Sequence, residues 1–280
     1  MYQFENVKTD NIGISICTSL LKEVFPKSKG ITNEYIQWQY ADNPCGQIVG
    51  YNALYKEKIA AHYVAQPFFA RINGEIKKGL LSLNTATQSN HRGKKLFTTL
   101  AEKTYEYAFE QGYSFVIGVA NANSTPGFLR KLGFQLVAPL TVKLGFSEIH
   151  KTTQETPFTF EHVWDGETLK WRLNNPRCKY NVSKEKVFAS AQKFGIKTLM
   201  GIFEKEVIEK LPPSNYKLYK PTILYLGLDS SINWKRSAYY NLPKRLKPSP
   251  LNLIFRDLTS NKLTLDEKNI CFQAIDFDAY

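Results

Sequence analysis

Hydrophobic and polar positions along the first third of the chain predict two helices followed by three strands. An apolar run at Ile12–Ile16 leads into the helical stretch ICTSLLKEVF, and NEYIQWQY is typical of a second, shorter helix. Three strand-like runs follow, IVGYNALY, IAAHYVAQ and GLLSLNTAT, with the hairpin signal Asn73-Gly74 before the last. We expect these three runs to form an antiparallel meander.

The pattern after residue 88 predicts two more helices and two more strands. A helix with one apolar face should begin near Lys95 and end before Gly112. FVIGVA is typical of a short buried strand, FLRKL of a short helix ended by Gly133, and FQLVAPLTVKLGF of one long strand. With the run at 12–16 as the first strand, the expected order is β-α-α-β-β-β-α-β-α-β.

The polar segment 147–157 predicts a boundary between two domains, residues 1–146 and 158–280. In the second domain LMGIFEKEVIEKL predicts a helix, and TILYLGL, LNLIFRDL and ICFQAIDF predict strands. Trp38 followed by Asn43-Pro44 has an echo 133 residues later, in Trp171 followed by Asn175-Pro176. A period of domain length suggests that the second domain is a diverged copy of the first.

Composition indicates a cytoplasmic protein without a metal site. The 280 residues are 43% hydrophobic, yet no apolar stretch is long enough to span a membrane and the start lacks the pattern of a signal peptide. Four cysteines lie far apart, which predicts neither a zinc site nor a disulfide framework. They are Cys17, Cys45, Cys178 and Cys271.

The net charge of +12 is compatible with binding to nucleic acid, to an anionic membrane or to an anionic small ligand, or with a basic cytosolic enzyme. It is spread evenly, with 16 Lys and Arg against 10 Asp and Glu in residues 1–145 and 21 against 15 in the rest, so no basic arm for nucleic acid is expected. An acid-free stretch between Asp229 and Asp257 could hold nucleic acid or a sugar nucleotide, or form a solvated loop. Its basic and aromatic residues are Trp234, Lys235, Arg236, Tyr239, Tyr240, Lys244, Arg245, Lys247 and Arg256.

The stretch QSNHRGKKLF places His91, Arg92, Lys94 and Lys95 around Gly93, between a strand and a helix. Cations at a helix start oppose the helix dipole unless an anion binds there, and the unpaired N–H groups of the first turn favour such an anion. The spacing matches neither a phosphate-binding loop of nucleotide triphosphatases nor a dinucleotide-binding fingerprint. We therefore predict a site for a pyrophosphate or a ribose phosphate.

The strand, this loop and the following elements resemble the GCN5-related N-acetyltransferase (GNAT) family over residues 1–145. The family motif [Arg/Gln]-x-x-Gly-x-[Gly/Ala] corresponds to residues 92–97, and the closing Gly-Phe pair to Gly133-Phe134. Lys95 stands where the family has glycine, Phe97 stands where it has a small residue, and Leu129 stands where many members have a tyrosine that protonates the leaving thiolate. The resemblance implies an α/β (α+β) fold, with a mixed, mostly antiparallel sheet flanked by helices, and acetyl-CoA as acyl donor.

The resemblance also implies a set of site residues. Cofactor contacts are expected from Thr85, Ala86, Thr87, Arg92, Gly93, Lys94, Lys95, Leu96, Phe97, Asn123 and Phe128. A backbone N–H near Leu83 or Asn84 should polarise the thioester carbonyl. The strand GLLSLNTAT offers no titratable base, so the base is expected to be His62, Tyr63, Glu34 or water. A buried, hydrogen-bonded strand residue is the commoner role for a histidine such as His62. An acceptor pocket would be lined by Glu34, Trp38, Tyr40 and Asn43.

The acceptor is expected to be a small-molecule primary amine. The paired design with its Trp…Asn-Pro element resembles bacterial acetyltransferases associated with surface-polysaccharide biosynthesis, which implies an amino sugar or a nucleotide-linked amino sugar. Two alternatives remain: an amine on a peptide or protein, and a non-catalytic module that binds CoA or a sugar nucleotide. The acidic end of the chain, with Asp276, Asp278 and the Tyr280 carboxylate, is either a further base or a solvated terminus.

Overall fold

The computed structural model describes residues 1–146, 148–149, 151–152, 157–190, 195–211, 218, 220–242 and 249–277. The helices are α1 (Asn11–Val24), α2 (Asn33–Tyr40), α3 (Leu96–Glu110), α4 (Thr125–Lys131), α5 (Gly166–Leu173) and α6 (Lys205–Ile208). The strands of the first half are β1 (Gln3–Asn6), β2 (Val49–Tyr55), β3 (Lys58–Ile72), β4 (Glu75–Thr87), β5 (Phe115–Ala120), β6 (Gln135–Pro139) and β7 (Thr141–Gly145). Those of the second half are β8 (Phe160–His162), β9 (Tyr180–Ser183), β10 (Lys186–Ser190), β11 (Lys197–Ile202), β12 (Ile223–Asp229), β13 (Tyr239–Asn241), β14 (Asn252–Asp257) and β15 (Ile270–Gln273).

The apolar run at 12–16 lies inside α1 and is not a strand, which corrects the sequence prediction. Asp10 caps this helix by accepting a hydrogen bond from Gly13 N at 2.7 Å, so helical geometry begins before the run. Ile14, Cys17 and Leu21 then recur at helical spacing on the buried side. The first strand is β1, which pairs with β2.

The first half has the mixed, mostly antiparallel sheet that the sequence predicted. Strands β1 to β4 pair antiparallel in chain order, and β5 joins β4 in parallel after the crossover helix α3. Helices α1 and α2 bury their apolar residues in one cluster with β3, whereas α3 packs Leu100 and Tyr105 into another. The sheet is thus sandwiched between helices, which leaves its strand ends to form a site.

The two halves exchange a strand. The long strand predicted after residue 133 is split at Leu140: β6 stays with the first half, and β7 crosses to pair with β12 and β13. The place between β5 and β6 is taken by β14 from the second half, antiparallel to both. One sheet of 15 strands therefore connects the two halves.

The second half repeats the strand order of the first. Strands β9, β10 and β11 pair antiparallel, β12 joins β11 in parallel, and β7 and β13 complete the order as β14 and β6 do in the first half. The helix predicted over residues 199–211 was wrong, because residues 197–202 form β11 and only 205–208 are helical. A strand buried on both faces has a continuous apolar run, which periodicity does not separate from a buried helix.

The echoed tryptophans meet where α2 and α5 pack together. The rings of Trp38 and Trp171 stack with centroids 4.9 Å apart and planes at 17°. Trp38 Nε1 donates to Trp171 O at 2.9 Å, and Trp171 Nε1 donates to Trp38 O at 3.0 Å. Such reciprocal bonds are what two related halves produce about a local two-fold axis. Within the described residues, no helix is long and apolar enough to cross a membrane.

Candidate functional site

A cleft opens where the parallel strands β4 and β5 separate. They are paired from Gly79 and Phe115 as far as Ser82 and Gly118, and no pairing continues beyond that point. The resulting cleft has a volume of about 450 Å³. Its lining residues are Ser82, Leu83, Asn84, Thr85, Phe97, Gly118, Val119, Asn121, Asn123, Ser124, Gly127, Phe128 and Ile254. The unpaired strand edges offer backbone donors and acceptors to a ligand that enters between them.

A bulge in β4 shapes one wall of the cleft. The register with β3 shifts so that Asn84 and Thr85 both lie opposite Tyr63, and Asn84 has the left-handed φ of 45°. The Asn84 carboxamide donates to Gln39 Oε1 at 2.5 Å and to Tyr40 Oη at 3.1 Å, both on α2. The side chain of Asn84 is thus anchored on α2, and its backbone is turned out of the β3 ladder.

His62 lies behind this wall and is fully buried. Its Nε2 accepts from Tyr40 Oη at 2.8 Å, and its Nδ1 donates to Asn52 Oδ1 at 2.7 Å. With these directions, each donor in this group of hydrogen bonds meets an acceptor. Burial lowers the pKa of His62 to about 3. His62 does not line the cleft, so the geometry supports the alternative of a hydrogen-bonded strand residue and places no base there for an acceptor.

His62 is expected to make the fold sensitive to acid. Its pKa is near 6.5 when unfolded and about 3 when folded, so below pH 6.5 the unfolded state binds the extra proton. Stability should fall from pH 6.5 towards pH 4 by up to about 1.4 kcal/mol per pH unit for this group. Urea unfolding across this range should show that His62→Gln loses less stability per pH unit than the wild type. Some loss should remain in the variant, because burial also lowers the pKa of His162. Equal slopes in both proteins would contradict this role.

Tyr63, the second catalytic candidate, is also fully buried but reaches the cleft through Ser82. Its hydroxyl donates to Ser82 Oγ at 2.8 Å and lies 2.6 Å from Tyr105 Oη. Burial raises the pKa of Tyr63 to about 12, so the hydroxyl stays protonated at neutral pH. Tyr63 is therefore placed as a hydrogen-bond donor to a cleft residue.

The basic loop leads from β4 to α3 beside the cleft. A 3₁₀ turn at Ser89–His91 is followed by Gly93 with φ of 77° and Lys95 with φ of 60°, and α3 begins at the next residue. The first helical bond of α3 runs from Thr99 N to Lys95 O at 3.1 Å, which leaves the N–H groups of the preceding turn without a helical acceptor. The basic side chains of the loop, Arg92, Lys94 and Lys95, are exposed. The arrangement is suited to a phosphate group.

Lys95 occupies a backbone conformation that favours glycine, which explains the glycine at this place in the family motif. Lys95→Gly relieves the cost of a lysine in the left-handed conformation, about 1–2 kcal/mol. It also makes the unfolded chain more flexible, which lowers the stability of the folded state by about 0.5–1 kcal/mol. We expect stability to be unchanged or higher by up to about 1 kcal/mol in thermal unfolding, and acetyl-CoA affinity to be intact or improved.

Lys94→Gly is the matched control for Lys95→Gly, because Lys94 is equally exposed but has no positive φ. It removes the same charge without relieving strain, so it should lower both stability and affinity. If Lys95→Gly weakens acetyl-CoA binding as much as Lys94→Gly does, the loss of the Lys95 charge affects binding more than the relief of its backbone strain, which contradicts this expectation.

The start of α4 forms the opposite wall of the cleft. Asn121 Oδ1 accepts from the N–H groups of Asn123 and Ser124, each at 3.0 Å, which fixes the turn that presents Asn123. Phe97 and Phe128 meet edge to face with centroids 5.1 Å apart, and an added Cβ at Gly127 would lie 3.2 Å from Phe97. This wall is consequently close-packed, with its polar atoms at the rim.

The remaining predicted cofactor residues divide between the cleft and the core. Thr85, Phe97, Asn123 and Phe128 line the cleft, as does Asn84, which was predicted as a catalytic residue at the thioester carbonyl. Ala86 and Leu96 are buried in the two cores on either side of the sheet, so only their backbone is available to a ligand. Thr87 is half-buried, and its carbonyl accepts from Arg92 Nε at 3.4 Å.

None of the four predicted acceptor residues lines this cleft. Trp38 is 5% exposed and packs on Trp171, and Tyr40 is fully buried in the His62 network. Asn43 is buried and donates to Pro67 O at 2.8 Å. Glu34 is exposed and lies with Trp38 along a separate groove between α2 and α5. The structure thus places Trp38, Tyr40 and Asn43 in packing contacts outside the cleft between β4 and β5, and their part in an acceptor pocket stays a prediction.

Several cleft residues were missed in the sequence. Ile254 comes from β14, and no spacing near the motif points to a strand more than 100 residues away. Gly118 carried a signal, since a glycine within the apolar run FVIGVA often marks a close approach. An added Cβ there would lie 3.3 Å from the Cβ of Ser82, where the strands part.

The corresponding wedge in the second half is filled. Strands β11 and β12 are paired in parallel only over Lys197–Leu199 and Ile223–Tyr225. Beyond this point the carboxamide of Gln273 accepts from Ile202 N at 2.7 Å and donates to Ile202 O at 3.4 Å. The next residues, Ala274 and Ile275, pack against Met200 in the same core cluster. Only the first of the two wedges is open to a ligand in the part of the chain that the structure describes.

The acid-free segment and the chain end are partly structural. Arg256 Nη1 donates to Leu132 O at 2.7 Å, and Trp234 packs against Tyr225 and Tyr239. Asp276 is buried and accepts from Trp164 Nε1 at 2.9 Å, and burial raises its pKa to about 7, so this carboxyl is not part of a solvated terminus. Lys244, Arg245, Lys247, Asp278 and Tyr280 lie outside the described residues.

Comparisons with known proteins agree with this geometry. Residues 9–137 match the family model described as "Acetyltransferase (GNAT) domain". A probable N-acyltransferase from Enterococcus faecalis V583 superposes with a TM-score of 0.63 at 10% identity, over 92% of this chain and 73% of that one. GCN5-related N-acetyltransferases from Anabaena variabilis (TM-score 0.59, 10% identity, 92% and 73% covered) and Kribbella flavida (0.56, 8%, 92% and 71%) are similar in the same way.

A search of curated protein sequences found no significant match. The structural likeness extends over both halves of the chain, although the family model ends at residue 137, before the strand exchange. The open cleft, with the exception of Ile254, and the basic loop are both built from the matched residues. Residues 9–137 thus match a GNAT acetyltransferase domain, the chain has the GNAT fold, and both findings support an acyltransferase.

Proposed function

We propose that the cleft between β4 and β5 binds acetyl-CoA and that the protein transfers the acetyl group to a primary amine. The separation of the two parallel strands beyond Ser82 and Gly118, next to the basic start of α3, carries this proposal. This arrangement places an anion site beside a slot with unpaired backbone groups. The anion site suits the pyrophosphate of CoA, and the slot suits the arm with two amides that follows it. The likeness to proteins named N-acetyltransferases supports the same reaction.

The phosphates would be held by the N–H groups of the first turn of α3 together with Arg92, Lys94 and Lys95. The amide arm would pair with the free edge of β4 near Thr85. The cleft residues that the structure describes include no side chain that titrates near neutral pH. The binding slot itself is therefore neutral, and the cations are confined to the loop.

Acetyl transfer needs a free amine, a polarised carbonyl and a stabilised leaving thiolate. The bulge at Asn84 and Thr85 interrupts the regular β3–β4 ladder beside the cleft, and in the proposed complex a backbone N–H at this bulge donates to the carbonyl oxygen. The amine attacks the carbonyl carbon, the C–S bond breaks, and the amine proton leaves through water. His62 takes no part in this proton transfer.

For the acceptor we propose an amino sugar, free or linked to a nucleotide, in a cytoplasmic pathway of surface-polysaccharide synthesis. The net charge of +12 and the repeated design of the chain support this choice. Trp38, Tyr40 and Asn43 do not line the cleft between β4 and β5, so an acceptor held in this cleft would contact other residues around it.

Release of free thiol from acetyl-CoA tests the reaction and the acceptor together. Each reaction contains purified protein, acetyl-CoA and one class of amine. The classes are amino sugars, nucleotide-linked amino sugars, short peptides and polyamines. Thiol release that depends on an amino sugar supports the proposed acceptor. Release with peptides alone assigns the enzyme to peptide or protein amines, and no release with any amine contradicts the proposed reaction.

A further inference from the structure

A hydroxyl group lies at the point where β4 and β5 part. Ser82 is the last residue of β4 that pairs with β5, and it lines the cleft. Ser124, across the cleft, is engaged in its own turn, since its Oγ accepts from Asn121 N at 3.1 Å and contacts Asn121 Oδ1 at 3.3 Å. Ser82 accepts one hydrogen bond, from Tyr63, and its own hydrogen has no acceptor among the described residues.

Two buried tyrosines give this hydroxyl a direction. Tyr63 has a single hydrogen and donates it to Ser82 Oγ at 2.8 Å, so the hydrogen in the 2.6 Å contact between the two tyrosines belongs to Tyr105. Both tyrosine side chains are buried, and desolvation raises the pKa of each, which keeps both hydroxyls protonated. The bonds therefore run from Tyr105 to Tyr63 to Ser82, and each donation makes the next O–H a stronger donor.

We propose that Ser82 is a catalytic residue that donates a hydrogen bond to the sulfur of CoA, with Tyr63 and Tyr105 as positioning residues. This inference rests on the proposed function. Ser82 and Asn84 are two residues apart on one strand, about 7 Å. A thioester whose carbonyl oxygen lies at the Asn84–Thr85 bulge therefore has its sulfur within reach of Ser82.

The bond to sulfur acts when negative charge develops there. As the amine nitrogen bonds to the carbonyl carbon, the C–S electron pair moves to sulfur, and the Ser82 hydroxyl stabilises the resulting thiolate without losing its own proton. The amine nitrogen then gives a proton to water, and the thiolate takes one from water. Leu129, where the GNAT resemblance would place a tyrosine, is a half-buried apolar side chain that packs against the core and has no proton to donate. The Ser82 hydroxyl on β4 therefore supplies a donor that Leu129 of α4 cannot.

Binding of CoA and of desulfo-CoA, which lacks the sulfur, tests this contact without an acceptor. Calorimetry at pH 9, where part of the thiol is ionised, should show that the wild-type protein prefers CoA over desulfo-CoA by about tenfold, as expected for a hydrogen bond to a charged group. Ser82→Ala should abolish the preference and leave desulfo-CoA affinity unchanged. Tyr63→Phe should reduce the preference, and Tyr107→Phe, on the same helix as Tyr105 but outside the chain of hydroxyls, should keep it.

The outcomes distinguish a failure of the Ser82 contact from a failure of the proposed acetyl-CoA site. If the wild type and Ser82→Ala show the same preference for CoA, the contact from Ser82 to sulfur does not exist, although the acetyl-CoA site stands. If the wild type binds neither CoA nor desulfo-CoA, the proposed function fails and the inference fails with it. Circular dichroism of each variant checks that the buried Phe substitution has not unfolded the protein.

Discussion

Gly93→Val is expected to weaken acetyl-CoA binding at least tenfold, about 1.4 kcal/mol. Gly93 has φ of 77°, a region that a β-branched residue does not tolerate. An added Cβ would meet nothing within 4 Å, so the effect comes from backbone rearrangement and not from crowding. That rearrangement moves the N–H groups and cations that we propose to hold the phosphates, and titration calorimetry with acetyl-CoA measures the loss.

Gly112→Val is the matched control for this substitution. Gly112 follows the other end of α3, has φ of 80° and is equally open around its Cβ. Both variants should lose a similar amount of stability, but only Gly93→Val should lose affinity. Unchanged affinity in a folded Gly93→Val protein would mean that the loop does not hold the phosphates.

Trp38→Ala is expected to destabilise the protein by about 3–5 kcal/mol, the range for loss of a large buried side chain. Trp38 is 5% exposed, stacks on Trp171, and bonds to the backbone of α5. Urea unfolding should show the loss, and the folded variant should keep its acetyl-CoA affinity because Trp38 does not line the cleft.

A double-mutant cycle with Trp171→Ala sharpens this expectation. Each substitution removes the ring on which the other tryptophan stacks and the indole N–H that donates to the other's backbone carbonyl. The effects of the two substitutions should therefore be clearly less than additive. Additive effects would show that the two rings do not act as one contact. A selective loss of amine acceptor binding in Trp38→Ala, without a loss of stability, would restore Trp38 to the acceptor pocket.

The parts of the fold that depend on local signals were predictable. The helix ends at Gly112 and Gly133, the hairpin turn at Asn73-Gly74 and the crossover helix α3 all follow from residues within one turn or strand of the feature. The exception is the Asp10 cap of α1, which was not recognised, so the run at 12–16 was taken for a strand. The basic loop was predicted to bind a phosphate because three cations at a helix start are unfavourable without an anion, and the structure places this loop at the start of α3 beside the cleft. The left-handed φ of Lys95 then shows why the motif position is normally glycine.

The features that depend on distant pairing were not predictable. Strands β7 and β14 exchange places between the halves, so Ile254 reaches the cleft from far along the chain. His62 and Trp38 had side chains suited to catalysis and to sugar stacking, but burial against partners distant in sequence gives them structural roles. Side-chain type identifies what a residue can do, and tertiary packing decides whether it faces the cleft.

Thermal unfolding of the wild-type protein with acetyl-CoA most directly tests the cleft as a cofactor site. At a free ligand concentration of a hundred times Kd, binding to the folded state adds about 2.7 kcal/mol, which raises Tm by roughly 5–10 °C. Calorimetry on the same sample should give one acetyl-CoA per chain, because Gln273 and the residues after it fill the second wedge. No rise in Tm at any acetyl-CoA concentration would contradict the acetyl-CoA site.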